Sequence, residues 1–299
     1  MMGMDKWGVV KAFTLGSLLE VAVPKPGNVN RYRDFEDLTL YHFLFAHTAV
    51  IDVLFEAAHR GELIREGKLQ PEEAKLGELI KKAVENSKKA QNSNPNFGII
   101  TLAIPLTMAL GWANNIELAR EKVKLLISAS NPYDSIEFYK AIRTANPKGV
   151  KKGVKYDVYD DSSFDELIRD KINLKKLAEI SSERELIFKE WLTGYQLSYS
   201  TFYRLKELSF AFSLEEATIK VFLELLSNNL DTLIIRKAGI KEAKLVQKKA
   251  KECLDGKLSL EEFDKFLREK RDLRNPGSLA DIMAISLSLL ILSDYSLNL

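Results

Sequence analysis

The chain has 299 residues, 46% of them hydrophobic, and 44 lysines and arginines against 42 aspartates and glutamates, for a formal net charge of +2. That balance excludes the global positive field of a general nucleic-acid binder and leaves any basic site to be local. The single cysteine, Cys253, excludes an intramolecular disulfide and a cysteine zinc cluster and points to a reducing, cytoplasmic setting; with only three histidines, metal chemistry would rest on carboxylates, which suit Mg²⁺ better than zinc.

Apolar spacing predicts an amphipathic helix over residues 6–21, where Lys11 and Glu20 interrupt the apolar run and argue against a signal peptide. Residues 23–37, VPKPGNVNRYRDFED, fit neither helical nor strand periodicity. Pro24 and Pro26 remove two backbone donors and bias their predecessors toward extended conformations, while Gly27 permits a positive φ. Lys25, Arg31 and Arg33 crowd this stiff arch, which makes it a candidate seat for phosphate.

Residues 38–59 repeat apolar side chains at helical intervals and predict one long helix; Pro71 opens a second, over 71–90, with acids early and lysines late as the helix dipole prefers. After QNSNPNFG, residues 99–113 are apolar all round and predict a central buried helix. Residues 117–127 and 131–147 follow as helices, with Asn131 or Asp134 as cap. Residues 148–163 are the longest irregular stretch and the expected mobile loop or lid. Helices are then expected at 164–169, as a pair over 174–208 opened by Asn173, and at 214–226, 241–254 and 258–270. Residues 229–236 hold a strand-like Leu-Ile-Ile between helices. Residues 282–292 are too few to cross a membrane and predict a buried core helix, opened by Asn275-Pro-Gly-Ser-Leu-Ala-Asp281. No repeat and no linker divides the chain, so residues 1–299 read as one all-α domain whose polar cleft would form at the loop-to-helix junctions.

Three such junctions share a chemistry. They are the arch with Asp37, the Asn94-Pro-Asn96-Phe-Gly98 turn, and the turn from Asn275 to Asp281; Asp231, with Arg236 and Lys237 shortly after, sits in a comparable position. Free N–H groups at helix starts bind anions, and a lone carboxylate in an apolar helix needs a partner. Each feature also has a plain reading: Asp231 and Asp281 as caps or arginine partners, the NP and PG pairs as ordinary turns, the arch cations as solvated surface. His42, His47 and His59 read as packing residues. Walker, GxGxxG and GxSxG fingerprints are absent.

Residues 21–31 (VAVPKPGNVNR), NPNFG at 94–98, Asp231 with Arg236 and Gly239, and NPGSLAD at 275–281 together resemble, in order and approximate spacing, the triphosphoribosyl-dephospho-coenzyme A synthases. The resemblance spans nearly the whole chain. It departs at Asn30, at Phe35 and at Asn96, the latter two standing where a histidine is common. It implies a largely helical, Mg²⁺-dependent enzyme that moves the triphosphoribosyl part of ATP to a ribose hydroxyl of 3′-dephospho-coenzyme A or a related acceptor, with loss of adenine. Its implied site has Asp37, Asp231 and Asp281 as catalytic carboxylates or Mg²⁺ ligands, and Lys25, Arg31 and Arg236 on phosphates. Asn94 and Asn96 would orient ribose or triphosphate, with Gly27, Gly98, Asn275 and Gly277 completing the nucleotide site. The expected partners are small molecules, with no nucleic acid and no membrane, and a homodimer is left open. A different nucleotide transferase or phosphohydrolase on the same scaffold, or a non-catalytic helical nucleotide-binding protein, are the competing classes.

Overall fold

The structure is a computed structural model that describes residues 4–91, 93–150 and 152–293. Among the described residues there are sixteen α-helices, two short 3-10 turns and no strand. In chain order the helices are α1 (Lys6–Ala22), α2 (Leu40–Thr48), α3 (Ile51–Arg65), α4 (Leu76–Ala90), α5 (Phe97–Ala113), α6 (Ile116–Ala129), α7 (Pro132–Ala145) and α8 (Ser162–Arg169). They continue as α9 (Leu174–Ser181), α10 (Leu186–Thr193), α11 (Gln196–Leu208), α12 (Leu214–Asn228), α13 (Thr232–Ala238), α14 (Ile240–Leu254), α15 (Leu260–Arg268) and α16 (Gly277–Leu292). The all-α expectation holds.

Two apolar helices form the centre. Every residue of α5 from Gly98 to Gly111 is buried, and in α16 every residue from Ser278 to Leu292 is buried except Asp281. Helices without a polar face must be covered on all sides. Around α5 lie α3, α4, α6 and α10; around α16 lie α11, α12 and α13; α1 packs on both.

Glycines set the closest crossings. A Cβ on Gly16 of α1 would overlap the main chain at Ser288 of α16, one on Gly61 of α3 would overlap the Met108 carbonyl of α5, and one on Gly111 of α5 would overlap the Ala58 carbonyl of α3. Gly77 of α4 meets the Asp134 main chain of α7 in the same way. At these points backbone packs on backbone, closer than interlocking side-chain ridges allow.

Several boundaries differ from the sequence reading. The expected single helix over 38–59 is two, broken at Ala49 and Val50; both helices pack on α1 and α4, while α3 lies chiefly on α5, and no glycine or proline marks the break. The run Leu40–Arg65 is long and apolar enough to cross a membrane by length and composition; in the fold Arg60 pairs with Glu56 within it and Gly61 is seated on α5. The helix expected from Pro71 begins at Leu76, since Pro71–Glu73 form a 3-10 turn and Lys75 is left-handed at φ 51°. Residues 174–208 hold three helices, not two: a turn over 182–185 separates α9 from α10, and the left-handed Gly194 and Tyr195 separate α10 from α11. The strand-like Leu-Ile-Ile belongs to α13. The irregular stretch is found between α7 and α8; Lys151 within it, and Asn92 before α5, lie outside the described residues.

Pro105 sits inside α5 and has no N–H for the Thr101 carbonyl. The Trp191 indole N–H of α10 donates to that carbonyl at 3.2 Å, and the Tyr195 hydroxyl donates to the next one, of Leu102, at 2.7 Å. The carbonyl freed by the proline is therefore matched from a neighbouring helix. Trp191→Phe should cost more with Pro105 present than in Pro105→Ala, where an N–H returns to the carbonyl. A double-mutant cycle by urea unfolding should give a coupling of about 1 kcal/mol, and additive losses would remove the link.

Candidate functional site

The first turns of α5, α13 and α16 converge on one cleft of about 900 Å³. The convergence is built from side chains that match the free N–H groups of helix starts. Asp231, 2% exposed, precedes α13 and accepts from Ile234 N at 3.0 Å with one oxygen and from Leu279 N of α16 at 2.8 Å with the other. The Ser278 hydroxyl accepts from Leu233 N at 3.0 Å and from the Thr232 hydroxyl at 2.9 Å. One carboxylate and one hydroxyl thus stitch the start of α13 to the start of α16.

Asp281 lies a turn further into α16 and lines the cleft. It touches the start of α5 so closely that a Cβ on Gly98 would overlap its carboxylate, and it receives the Ile99 N–H. Burial pushes its carboxyl well above the usual range; Glu20 and Asp231 push the same way, and Arg236 and the Ile99 N–H oppose them. Glu20, at the end of α1, is 3% exposed and also lines the cleft. Its counter-ion is Lys25, 2.8 Å away and fully buried, which also donates to the Glu20 carbonyl and lies 5.7 Å from the centre of the Phe222 ring.

On the opposite wall Arg236 donates to Glu185 at 3.0 Å, while its Nε has no partner. Burial raises the Glu185 carboxyl, with Arg236 opposing. Next to them Asp272 is shared by Lys237 at 2.9 Å and Lys148 at 3.0 Å. Gly149, at φ +82°, lets the segment after α7 lie against the main chain of Arg236. This side of the cleft is apolar, with Val154, Leu177, Ile180, Ile187 and Phe188 among its walls.

The arch is held from behind. The Gly27 N–H, at φ +76°, donates at 2.8 Å to Asp264 of α15, and a Cβ there would crowd Leu267. Asp264 also pairs with Arg33 and Arg268. The Asn28 amide donates to Asn275 at 2.8 Å, tying arch to α16, and leaves its own carbonyl oxygen without a partner.

Of the residues expected from sequence, Asp37, Asn94, Gly98, Arg236, Asn275, Gly277 and Asp281 line this cleft, with Asp37 exposed. Lys25, Gly27 and Asp231 do not; they are buried behind its wall. Arg31 pairs with Glu215 on the outside. Asn96 lies beneath, its side-chain oxygen accepting from Ser87 at 2.8 Å. Glu20, Asn28 and Glu185 were not singled out by sequence. Glu20 had a signal, an acid in an otherwise apolar helical run five residues before Lys25. Among the described residues no group of three or more His, Cys, Asp or Glu side chains is placed to hold a metal ion, so Asp37, Asp231 and Asp281 do not assemble as a ligand cage.

A profile of the CitG family, ATP:dephospho-CoA triphosphoribosyl transferase, matches residues 6–298. A solved structure described as a triphosphoribosyl-dephospho-CoA synthase from Archaeoglobus fulgidus is similar with a TM-score of 0.67 and 26% identity, over 86% of this chain and 100% of that one. No curated protein matches the chain.

Asp231 gives this site a pH signature. Burial holds its carboxyl at about 6 against an ordinary 3.8, with the Leu279 and Ile234 N–H groups opposing. The folded state then binds this proton more tightly than the unfolded chain, so the contribution to stability falls as pH rises from the unfolded to the folded value and is constant above. The cost of Asp231→Asn should be greatest near pH 4 and shrink by about 3 kcal/mol by pH 7. Asp231→Ala, which strips two helix starts of their acceptor, should lose about 2 kcal/mol or more at every pH. Urea unfolding across pH 4–8 checks both.

Proposed function

The chain belongs to the ATP:dephospho-CoA triphosphoribosyl transferase family, and on that premise we propose that its cleft transfers the triphosphoribosyl group of ATP to a ribose hydroxyl of dephospho-CoA, releasing adenine. The observation that carries this reading is the pair of carboxylates at the cleft floor, Glu20 and Asp281, beside the joined helix starts. The acceptor oxygen bonds to C1′ of the ATP ribose, the C1′–N9 bond breaks with its electrons going to adenine, the hydroxyl proton is taken up by a carboxylate, and the departing adenine gains a proton from water. Positive charge grows at C1′ during that exchange, as in glycoside chemistry, and a nearby carboxylate stabilises it.

The two acids have different surroundings, the condition under which two carboxylates divide such work. Asp281 has a raised affinity for protons and is assigned the hydroxyl proton. Glu20 has its counter-ion in Lys25 and is assigned the charge at C1′. Asp231 has both oxygens occupied by helix N–H groups and serves as a positioning residue. The triphosphate is placed against the first turns of α5 and α16, with Arg236, Asn94 and Asn275 beside it. The unpartnered oxygen of Asn28 accepts from a sugar hydroxyl. The apolar side of the cleft, rimmed by Lys148 and Lys155, takes the acceptor.

Mg²⁺ fits these residues in one way. It characteristically uses one or two carboxylates plus substrate phosphates rather than an all-protein cage, and Asp37, exposed and lining the cleft, offers a carboxylate that the transfer step does not use, where no group of three or more acids is placed to hold the ion among the described residues. When bound, it would neutralise triphosphate charge and help hold the phosphates in place.

Free adenine should appear when the protein is mixed with ATP, Mg²⁺ and dephospho-CoA, measured by chromatography. Release of phosphate instead would assign a phosphohydrolase, and the absence of any ATP-dependent thermal shift would assign a non-catalytic role. Asp281→Asn should lower turnover about 100-fold or more while the fold persists. Gly98→Ala, which drives a methyl group into the Asp281 carboxylate, should abolish it.

A further inference from the structure

Three buried polar atoms on three different elements have no hydrogen-bond partner in the protein: Thr14 Oγ1 of α1, His47 Nε2 of α2 and Asn96 Nδ2 at the start of α5. His47 is 2% and Asn96 1% exposed. Unmatched buried polar atoms are rare singly in native proteins, and here all three residues border the same small cavity, whose other walls include Phe13, Val50, Leu54 and Ile100. The cavity offers about 10 Å³ to the centre of a water-sized sphere, room for one water.

We propose that a single buried water bridges Thr14, His47 and Asn96, and that through it Thr14 and His47 act as positioning residues for the α5 junction of the cleft. The water can be matched on both its donor and its acceptor side. The Asn96 amide can only donate, so the water accepts from it and donates to the lone pair of His47 Nε2 and to the Thr14 oxygen, giving the three hydrogen bonds usual for buried water. Burial holds the His47 imidazole at about 3, far below its ordinary value, so it is neutral and its Nε2 can accept. A cation is excluded by the amide N–H, and an anion by the absence of any positive charge on the three residues.

The bridge joins the parts that carry the cleft. Thr14 lies on α1, the helix that carries Glu20 in its last turn, and the His47 ring lies tilted 6.0 Å from Phe43, a cleft residue one turn earlier. Asn96 lies two residues before Gly98, against which Asp281 is seated, and its other amide atom is fixed by Ser87 of α4. One water thereby sets α1, α2, α4 and α5 in register around the acid pair. Its effect on turnover rests on the function proposed above; its presence does not.

The test joins crystallography with three variants. Wild-type crystals diffracting well enough to show ordered solvent should contain one peak within hydrogen-bond reach of all three atoms. A cavity with no peak overturns the proposal. His47→Leu and Thr14→Val, which remove an acceptor with little change in volume, should lower kcat/KM for ATP about tenfold, as a small misplacement of positioning groups does. His47→Gln, which restores a polar atom near the Nε2 position, should recover to within about threefold of wild type. A purely packing role for His47 predicts the reverse order, and leucine equal to or better than glutamine overturns the positioning claim. The ATP-induced shift in melting midpoint ranks the same variants without turnover, so a wild-type protein that releases no adenine would sink the proposed reaction while leaving this bridge to be decided by density and ligand affinity.

Discussion

The cleft depends on one buried carboxylate that ends two helices at once. Asp231 gives one oxygen to α13 and the other to α16, and burying a charge in this way is tolerable only because the N–H groups it meets have no other partner and sit at positive helix ends. With that contact made, Arg236 on α13 and Asp281 on α16 are fixed on facing sides of the same hollow. Without it the two helices would share only the Ser278 hydroxyl contacts and side-chain packing.

The charges follow the same economy of partners. Lys25 neutralises Glu20, Arg236 neutralises Glu185, and helix starts neutralise Asp231. Asp281 meets two neighbouring acids with only Arg236 and the Ile99 N–H against them, and together with burial that raises its affinity for protons. The PKPG arch contributes to this indirectly. Its lysine faces inward and its glycine is clamped by Asp264, so the arch sets the position of Glu20 and Asn28 and does not itself offer cations to the cleft.

Much of the helical architecture was legible because α5 and α16 are apolar all round and α1, α4 and α12 carry helical spacing. The junctions were legible as well, since NPNFG and NPGSLAD combine turn formers with the start of an apolar run. The roles of the charges were not. Whether a lysine between two prolines points to solvent or folds back on the helix before it is decided by a turn that composition does not specify, and Glu20 reads in one dimension only as an interruption of hydrophobicity. The break at Ala49 and Val50 was illegible for a different reason. It falls among helix-compatible residues, where the chain turns so that α3 can lie along α5, an instance of tertiary packing overriding local preference.

The glycine crossings limit how the molecule can move. Where α1 meets α16, α3 meets α5 and α4 meets α7, main chain bears on main chain, and neighbouring helices have no compliant side-chain layer through which to slide. Shear between packed helices, one of the two common ways that domains close over ligands, is therefore blocked at three crossings of the central pair and its surround. At these contacts the helical body acts as an anvil of fixed shape.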